Sequence, residues 1–135
     1  MRWITRGLLL LNVAVLASCE PCLTIIEPAN GAKVSMRPLV RGNVCDKVVI
    51  VSVIVHPVET DDYWVQPPVT VEKGGSWHFR PYIGRGTPVD SGKAFEIRAV
   101  AGHKLDLKEA QRLSGWPGKE AGAEEQSTIV NVTRE

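Results

Sequence analysis

The sequence has little excess charge, few histidines and no recognisable catalytic motif. Sixteen Lys and Arg residues stand against fifteen Asp and Glu residues in a chain of 135. A nucleic-acid ligand requires a basic face, and anionic lipid attracts polybasic segments, so the near-neutral charge argues against both. The three histidines lack metal-ligand spacing, and no Gly-X-Ser-X-Gly motif is present. We therefore expect no enzyme, no metal or other cofactor and no nucleic-acid partner.

Long apolar runs are also missing, apart from one short run at the amino terminus. The run from Leu8 to Leu16 follows Arg2 and Arg6, with no acidic residue before it. A membrane-spanning helix needs about 20 apolar residues, and Glu20 and Pro21 follow too soon for that. A short run behind positive charges is typical of an export signal. The alternative is a core helix of a cytosolic domain.

The end of this run, Leu16-Ala17-Ser18-Cys19, resembles the lipobox of bacterial lipoproteins. The resemblance implies that residues 1–18 are a cleaved signal peptide and that the Cys19 thiol is alkylated by diacylglycerol. The new amino terminus is a further site for an acyl chain such as palmitate. One chain binds a membrane only reversibly, so two or three chains would provide the stable anchor, with residues 19–22 as a short tether. An ordinary secretory signal is the alternative.

The residue after the cysteine bears on location. In lipoproteins of two-membrane bacteria this residue helps to sort the protein, and Glu20 is not the aspartate associated with inner-membrane retention. The resemblance therefore favours the outer membrane, on its periplasmic side, over the inner membrane or the cell surface.

Cysteine is scarce, which limits the possible disulfides. With Cys19 assigned to the anchor, Cys22 and Cys45 are the only thiols left. An exported chain lies where disulfides persist, and two cysteines allow one intramolecular pairing. Antiparallel folding of Leu23 to Pro28 onto Pro38 to Val44 would place the two cysteines opposite each other. We predict this disulfide, with a metal site as the weaker alternative.

The rest of the chain has the pattern of β-structure. Seven or so short strands, separated by turn residues, predict an immunoglobulin-like antiparallel β-sandwich over residues 23–133. Lys47 to Pro57 is apolar on both alternate faces, which predicts a central strand covered on both sides. The segment from Lys104 to Trp116 predicts a short amphipathic helix, beginning near Asp106 and inserted before the last strand, Ser127 to Thr133.

Several stretches resemble small Ig-like modules of bacterial extracytoplasmic proteins, over roughly Leu23 to Ala101. They are IIEPANGAKV, VRGNV, YWVQPP, GGSWHF and GKAFEIRAVA. The resemblance implies a binding, adhesion or accessory role outside the cytoplasm, and it brings no catalytic residues.

Aromatic residues supply the candidate binding surface. Flat rings stack on sugars or anchor a protein interface. The candidate residues are Tyr63, Trp64, His78, Arg80 and Tyr82. Core or edge packing is the alternative for Trp64, as it is for Trp77. The sequence therefore predicts a lipid-anchored module that binds an envelope protein, with a glycan-binding accessory module as the alternative.

Overall fold

The structure is a computed structural model that describes residues 21–46 and 49–135. The predicted signal peptide, residues 1–18, and the predicted lipidation site, Cys19, lie outside the described residues. In the part of the chain that is described, no helix is long and apolar enough to cross a membrane.

Eleven strands form two sheets in the described residues. They are β1 (Leu23–Glu27), β2 (Ala32–Val34), β3 (Val40–Val44), β4 (Ile50–Pro57), β5 (Tyr63–Val65), β6 (Thr70–Val71), β7 (Ser76–Phe79), β8 (Ala94–Gly102), β9 (Arg112–Leu113), β10 (Glu125–Gln126) and β11 (Val130–Arg134). One sheet has the order β1-β3-β7-β6. The other has the order β2-β11-β8-β4-β5-β9, with β10 also paired to β8. All strand pairs are antiparallel except β2 with β11, so the predicted all-β, two-sheet architecture is confirmed.

The main core lies between the sheets. It contains the inward residues of β4 and β8, including Val53, Val55, Phe95 and Ile97, together with Trp77 from β7. Trp77 is 1% exposed, so it is a core residue. Its backbone pairs with Gly42 of β3, and a Cβ atom on Gly42 would overlap both the Trp77 ring and the Thr24 carbonyl. The glycine in VRGNV is therefore required by the tryptophan in GGSWHF.

The predicted disulfide is present. Cys22 and Cys45 are joined, with their Cα atoms 4.9 Å apart, immediately outside the Leu23–Val44 pair of β1 and β3. The Cys45 N–H also donates to the Cys22 carbonyl over 2.8 Å. The disulfide thus closes one end of the four-stranded sheet.

The predicted helix between Lys104 and Trp116 is wrong. The described residues contain only a 3₁₀ turn, Lys119–Ala121, near this position. The backbone bonds to other segments: the Ala110 N–H donates to the Val65 carbonyl over 2.9 Å, and Ala110 has a positive φ of 65°. Pairing with β5 replaces the hydrogen bonds that a helix would make within itself.

Residues 103–124, which we call the flap, cover the outer face of the seven-stranded sheet. Leu105 and Ala123 of the flap are buried against Ile54, Val65 and Val100 of the sheet. The other face of β4 contributes to the main core. The prediction that β4 is covered on both sides is confirmed, although a flap without a helix provides the second cover.

Candidate binding cleft

A cleft of about 660 Å³ opens at one end of the sandwich, within the range of about 300–1,000 Å³ that is typical of ligand sites. Its apolar lining comes from the ends of β4, β5 and β8 and from neighbouring segments. These apolar residues are Val55, Pro57, Val65, Pro67, Ala94 and Phe95. The aromatic residues Trp64 and Tyr82 complete the lining. The cleft therefore combines apolar walls with two large rings.

The cleft and the disulfide lie at opposite ends of the long strands. At one end of β4 and β8, Asp46, the neighbour of Cys45, meets His103, with 2.7 Å between Oδ2 and Nε2. At the other end, Pro57 and Ala94 line the cleft. β4 has eight residues at about 3.3 Å each, so the two ends are about 25 Å apart.

Strand alternation directs Trp64 into the cleft. Trp64 pairs with Val55, and neighbouring paired residues lie on the same face of a sheet. Tyr63 and Val65 consequently face the flap. Trp64 is 37% exposed and Tyr82 is 49% exposed, so both rings are accessible to a ligand.

Gln66 connects the two aromatic residues. Its Oε1 accepts a hydrogen bond from the Tyr82 N–H over 2.8 Å, and its Nε2 lies 3.5 Å from the Trp64 carbonyl oxygen. The side chain is buried, and the Gln66 N–H donates to Val53 over 3.0 Å. Gln66 was not predicted as a site residue. A polar residue two positions after Trp64 in an apolar strand was the available signal.

A second pair of contacts fixes the outer side of Tyr82. The Arg37 guanidinium lies 4.2 Å from the centre of the Tyr82 ring. Arg37 donates to the Arg80 carbonyl over 2.8 Å, and Arg80 donates to the Arg37 carbonyl over 3.0 Å. Arg80 therefore supports the Tyr82 segment, and it does not line the cleft.

A buried carboxylate organises the loop from β7 to β8. Asp90 accepts hydrogen bonds from the Arg85 side chain and backbone N–H, and Lys93 Nζ lies 3.2 Å from its Oδ1. The hydrogen bonds from Arg85 lower the pKa of Asp90 well below its ordinary value, against the opposing effect of burial. Asp90 stays ionised and holds both cations at the cleft wall.

Arg134 attaches the same loop to β11. This buried guanidinium donates to the carbonyls of Ile83 and Arg85 over 2.8 and 2.6 Å and to the Thr87 hydroxyl over 3.1 Å. No sequence pattern indicated this role, because arginine is mostly found exposed.

The five residues of the predicted surface lie in four places. Trp64 and Tyr82 line the cleft together. His78 lies exposed on the four-stranded sheet, with its Nδ1 3.5 Å from a Glu72 carboxylate oxygen. Arg80 lies beside Arg37. Tyr63 faces the flap, so the structure brings together only two of the five candidates.

Tyr63 belongs to an aromatic cluster that sequence reasoning missed. It stacks on His56 with 3.9 Å between ring centres and meets the edge of Trp116 at 4.8 Å. His56 is buried, with Nδ1 2.8 Å from a Glu96 carboxylate oxygen and Nε2 2.7 Å from the Thr60 carbonyl oxygen. The cluster positions the loop after β4, which contributes Glu59 and Thr60 to the cleft.

No protein-family model, curated protein or solved structure matches this chain. Within residues 21–46 and 49–135, no group of three or more His, Cys, Asp or Glu side chains is arranged to hold a metal ion.

Proposed function

We propose that this chain is an exported, lipid-anchored Ig-like module of a bacterial cell envelope. It binds a protein partner in the cleft between Trp64 and Tyr82 and carries out no catalysis. The observation that supports the binding role best is the cleft itself, which exposes two aromatic rings beside apolar walls. Isolated exposed apolar residues are common, but a concave apolar site is the usual form of a binding site.

The position of the cleft agrees with an anchor at Cys19. This residue precedes Cys22 by three positions, and the disulfide attaches the chain at that end of the sandwich. The cleft is at the opposite end, about 25 Å along an eight-residue strand. A ligand site there would face away from the membrane. We propose the periplasmic side of the outer membrane as the location.

The Ig-like assignment is supported by the structural roles of the stretches that suggested it. Gly42 of VRGNV accommodates Trp77 of GGSWHF, and Gln66 of YWVQPP connects Trp64 to Tyr82. The two-sheet, largely antiparallel architecture is the one that Ig-like domains share.

Site-specific photocrosslinking in cells tests the binding role. Benzoylphenylalanine would replace Tyr82 in the cleft or, as a matched control, Ile50, which is 46% exposed at the far end of β4. We expect a discrete protein crosslink from position 82 that is lost with Trp64→Ala and absent from position 50. Equal crosslinking from both positions, or no effect of Trp64→Ala, would contradict the proposal.

Intact mass of the protein purified from host membranes tests the anchor. We expect a chain that starts at Cys19 and carries two or three acyl chains, and a Cys19→Ala variant without them. An unprocessed or lipid-free mass would exclude the anchor. It would not bear on the proposed binding in the cleft.

A glycan-binding accessory module is the second candidate. The exposed Trp64 ring, with the carboxylates of Asp62 and Glu109 in the same cleft lining, favours it. Tyr63 would not take part, because its ring is packed against His56 and Trp116. Retention on peptidoglycan or surface polysaccharide that is lost with Trp64→Ala and Tyr82→Ala would support this candidate over a protein partner.

A further inference from the structure

Four donor-bearing side chains of the cleft lining each contact an acceptor within the protein. Arg85 and Lys93 both contact Asp90, at 3.2 Å each. The side-chain amide of Gln66 is directed to the Trp64 carbonyl, and the Thr60 hydroxyl donates to Pro57 over 3.0 Å. Arg85 and Lys93 retain further N–H groups, but Asp90 partly balances their positive charges.

Three carboxylates of the cleft lining differ from these donor-bearing side chains. Glu59, Asp62 and Glu109 line the cleft, and in the described part of the chain none of their carboxylates accepts a hydrogen bond within 3.5 Å. The nearest cations are Lys93, 3.7 Å from Glu59, and Arg112, 3.8 Å from Asp62. Ionised carboxylates only accept hydrogen bonds, so these three side chains provide free acceptors for a ligand that carries donors.

The apolar and aromatic lining suits the same kind of ligand. A cation over a tryptophan or tyrosine face is attracted by the ring, and Arg37 over Tyr82 is an example within this molecule. Lys and Arg side chains also have apolar stems that pack on apolar surfaces while their charged ends remain at the edge.

We propose that the cleft binds an arginine or lysine side chain of the protein partner. Its stem lies along the apolar lining beside Trp64, and its charged end donates to Glu59, Asp62 and Glu109. This inference rests on the proposed function and specifies the chemistry of the same site. A neutral sugar fits less well, because its hydroxyl groups make weaker hydrogen bonds to the three carboxylates than a cation does.

Titration of the mature protein, purified from a bacterial host in non-ionic detergent, tests the inference. The probes are two capped pentapeptides of the same sequence, one with a central arginine and the other with citrulline, its uncharged analogue. The indole N–H resonance of Trp64, assigned with a Trp64→Phe variant, reports binding up to about 10 mM peptide, so that even millimolar affinities are measurable.

We expect the arginine peptide to shift the Trp64 resonance and to bind about tenfold more tightly than the citrulline peptide. Glu109→Gln should weaken the arginine peptide several-fold, and added salt should weaken it further, because the contact is partly exposed. Glu125→Gln is the matched control, since Glu125 is exposed on β10 and does not line the cleft; it should bind like the wild type.

Equal affinity for the two peptides, no binding of either, or binding of a neutral cell-wall oligosaccharide alone would overturn the inference. These results are distinguishable from failure of the proposed function. If Trp64→Ala still abolishes the crosslink from position 82, the cleft remains the binding site and only its preference for a cation is wrong.

Discussion

One face of the seven-stranded sheet is covered by another sheet, and the opposite face is covered by the flap. The first interface is almost entirely apolar and contains Trp77, which is 1% exposed. The second has a smaller buried cluster surrounded by partly exposed side chains such as Tyr63 and Trp116. It is supplemented by backbone hydrogen bonds between Val65 of the sheet and Ala110 and Gln111 of the flap. Extensive apolar burial stabilises the first interface, whereas a smaller apolar cluster and backbone hydrogen bonds hold the second.

The largest difference in stability should appear between removing a tryptophan from the main core and removing one from the cleft. Trp77→Ala would leave a large cavity between the sheets, and we expect a loss of about 3–5 kcal/mol in the free energy of unfolding. Trp64→Ala, at the exposed cleft, should cost less than about 1 kcal/mol. Urea unfolding of both variants measures this contrast. Similar losses would show that the cleft ring is structural.

The disulfide packs against the main core, not against the buried cluster of the flap. Replacing Cys22 and Cys45 by serine releases a loop with a sequence separation of 23, which corresponds to about 3 kcal/mol in the chain-entropy model. We expect a lower urea midpoint and unchanged hydrogen exchange in the flap relative to the rest of the domain. Selective opening of the flap would contradict this separation of the two regions.

Leu105 tests the smaller cluster. Leu105 is 8% exposed, and Leu105→Ala should cost about 2 kcal/mol, near the lower limit for a buried leucine. Because the flap lies at the edge and on the outer face of the sheet, its amides should exchange faster while those of β3 and β7 stay protected. Uniform loss of protection across both sheets would show that the flap and the sandwich unfold as one unit.

The smallest effect concerns His103 of the flap. Hydrogen bonds to Glu124 and then to Asp46 raise the pKa of His103 above its ordinary value of 6.5. A pKa that is higher in the folded state means stabilisation that is complete below about pH 6.5 and is lost as the pH rises through the raised value. The amide of Glu124 should therefore lose protection at alkaline pH once exchange is corrected for its intrinsic pH dependence. His103→Gln should remove this pH dependence, and a wild-type profile in that variant would assign the effect to another group.

Local patterns predicted the sandwich well. Alternation in β3, where Val40, Gly42 and Val44 are buried and Arg41 and Asn43 are exposed, shows the period of two that the sequence displays. The disulfide followed from the scarcity of cysteine and from the pairing of β1 with β3. These features depend on neighbouring residues and on a single pairing, so the sequence suffices for them.

The flap shows where such reasoning failed. The leucines from 105 to 113 resemble one face of a short helix, but they pack on a sheet. The Val65 backbone at the edge of that sheet forms hydrogen bonds with Ala110 and Gln111. Bonding to that edge removes the helix. Likewise, Tyr63 and Trp64 are adjacent in sequence, and strand alternation alone places them on opposite faces without indicating which face borders a cleft.

The sequence by itself determined the strand periodicity, the cysteine pairing and the predictions of an export signal and an anchor at Cys19, because each depends on residue type over a short stretch. Only the tertiary structure decided which aromatic residues form the cleft. Trp64 and Tyr82 are 18 positions apart in the sequence, yet they line the same cleft, and the buried Gln66 side chain bonds to the backbone of both. The polar groups of a buried side chain need hydrogen-bond partners. Which segments supply those partners depends on the whole fold.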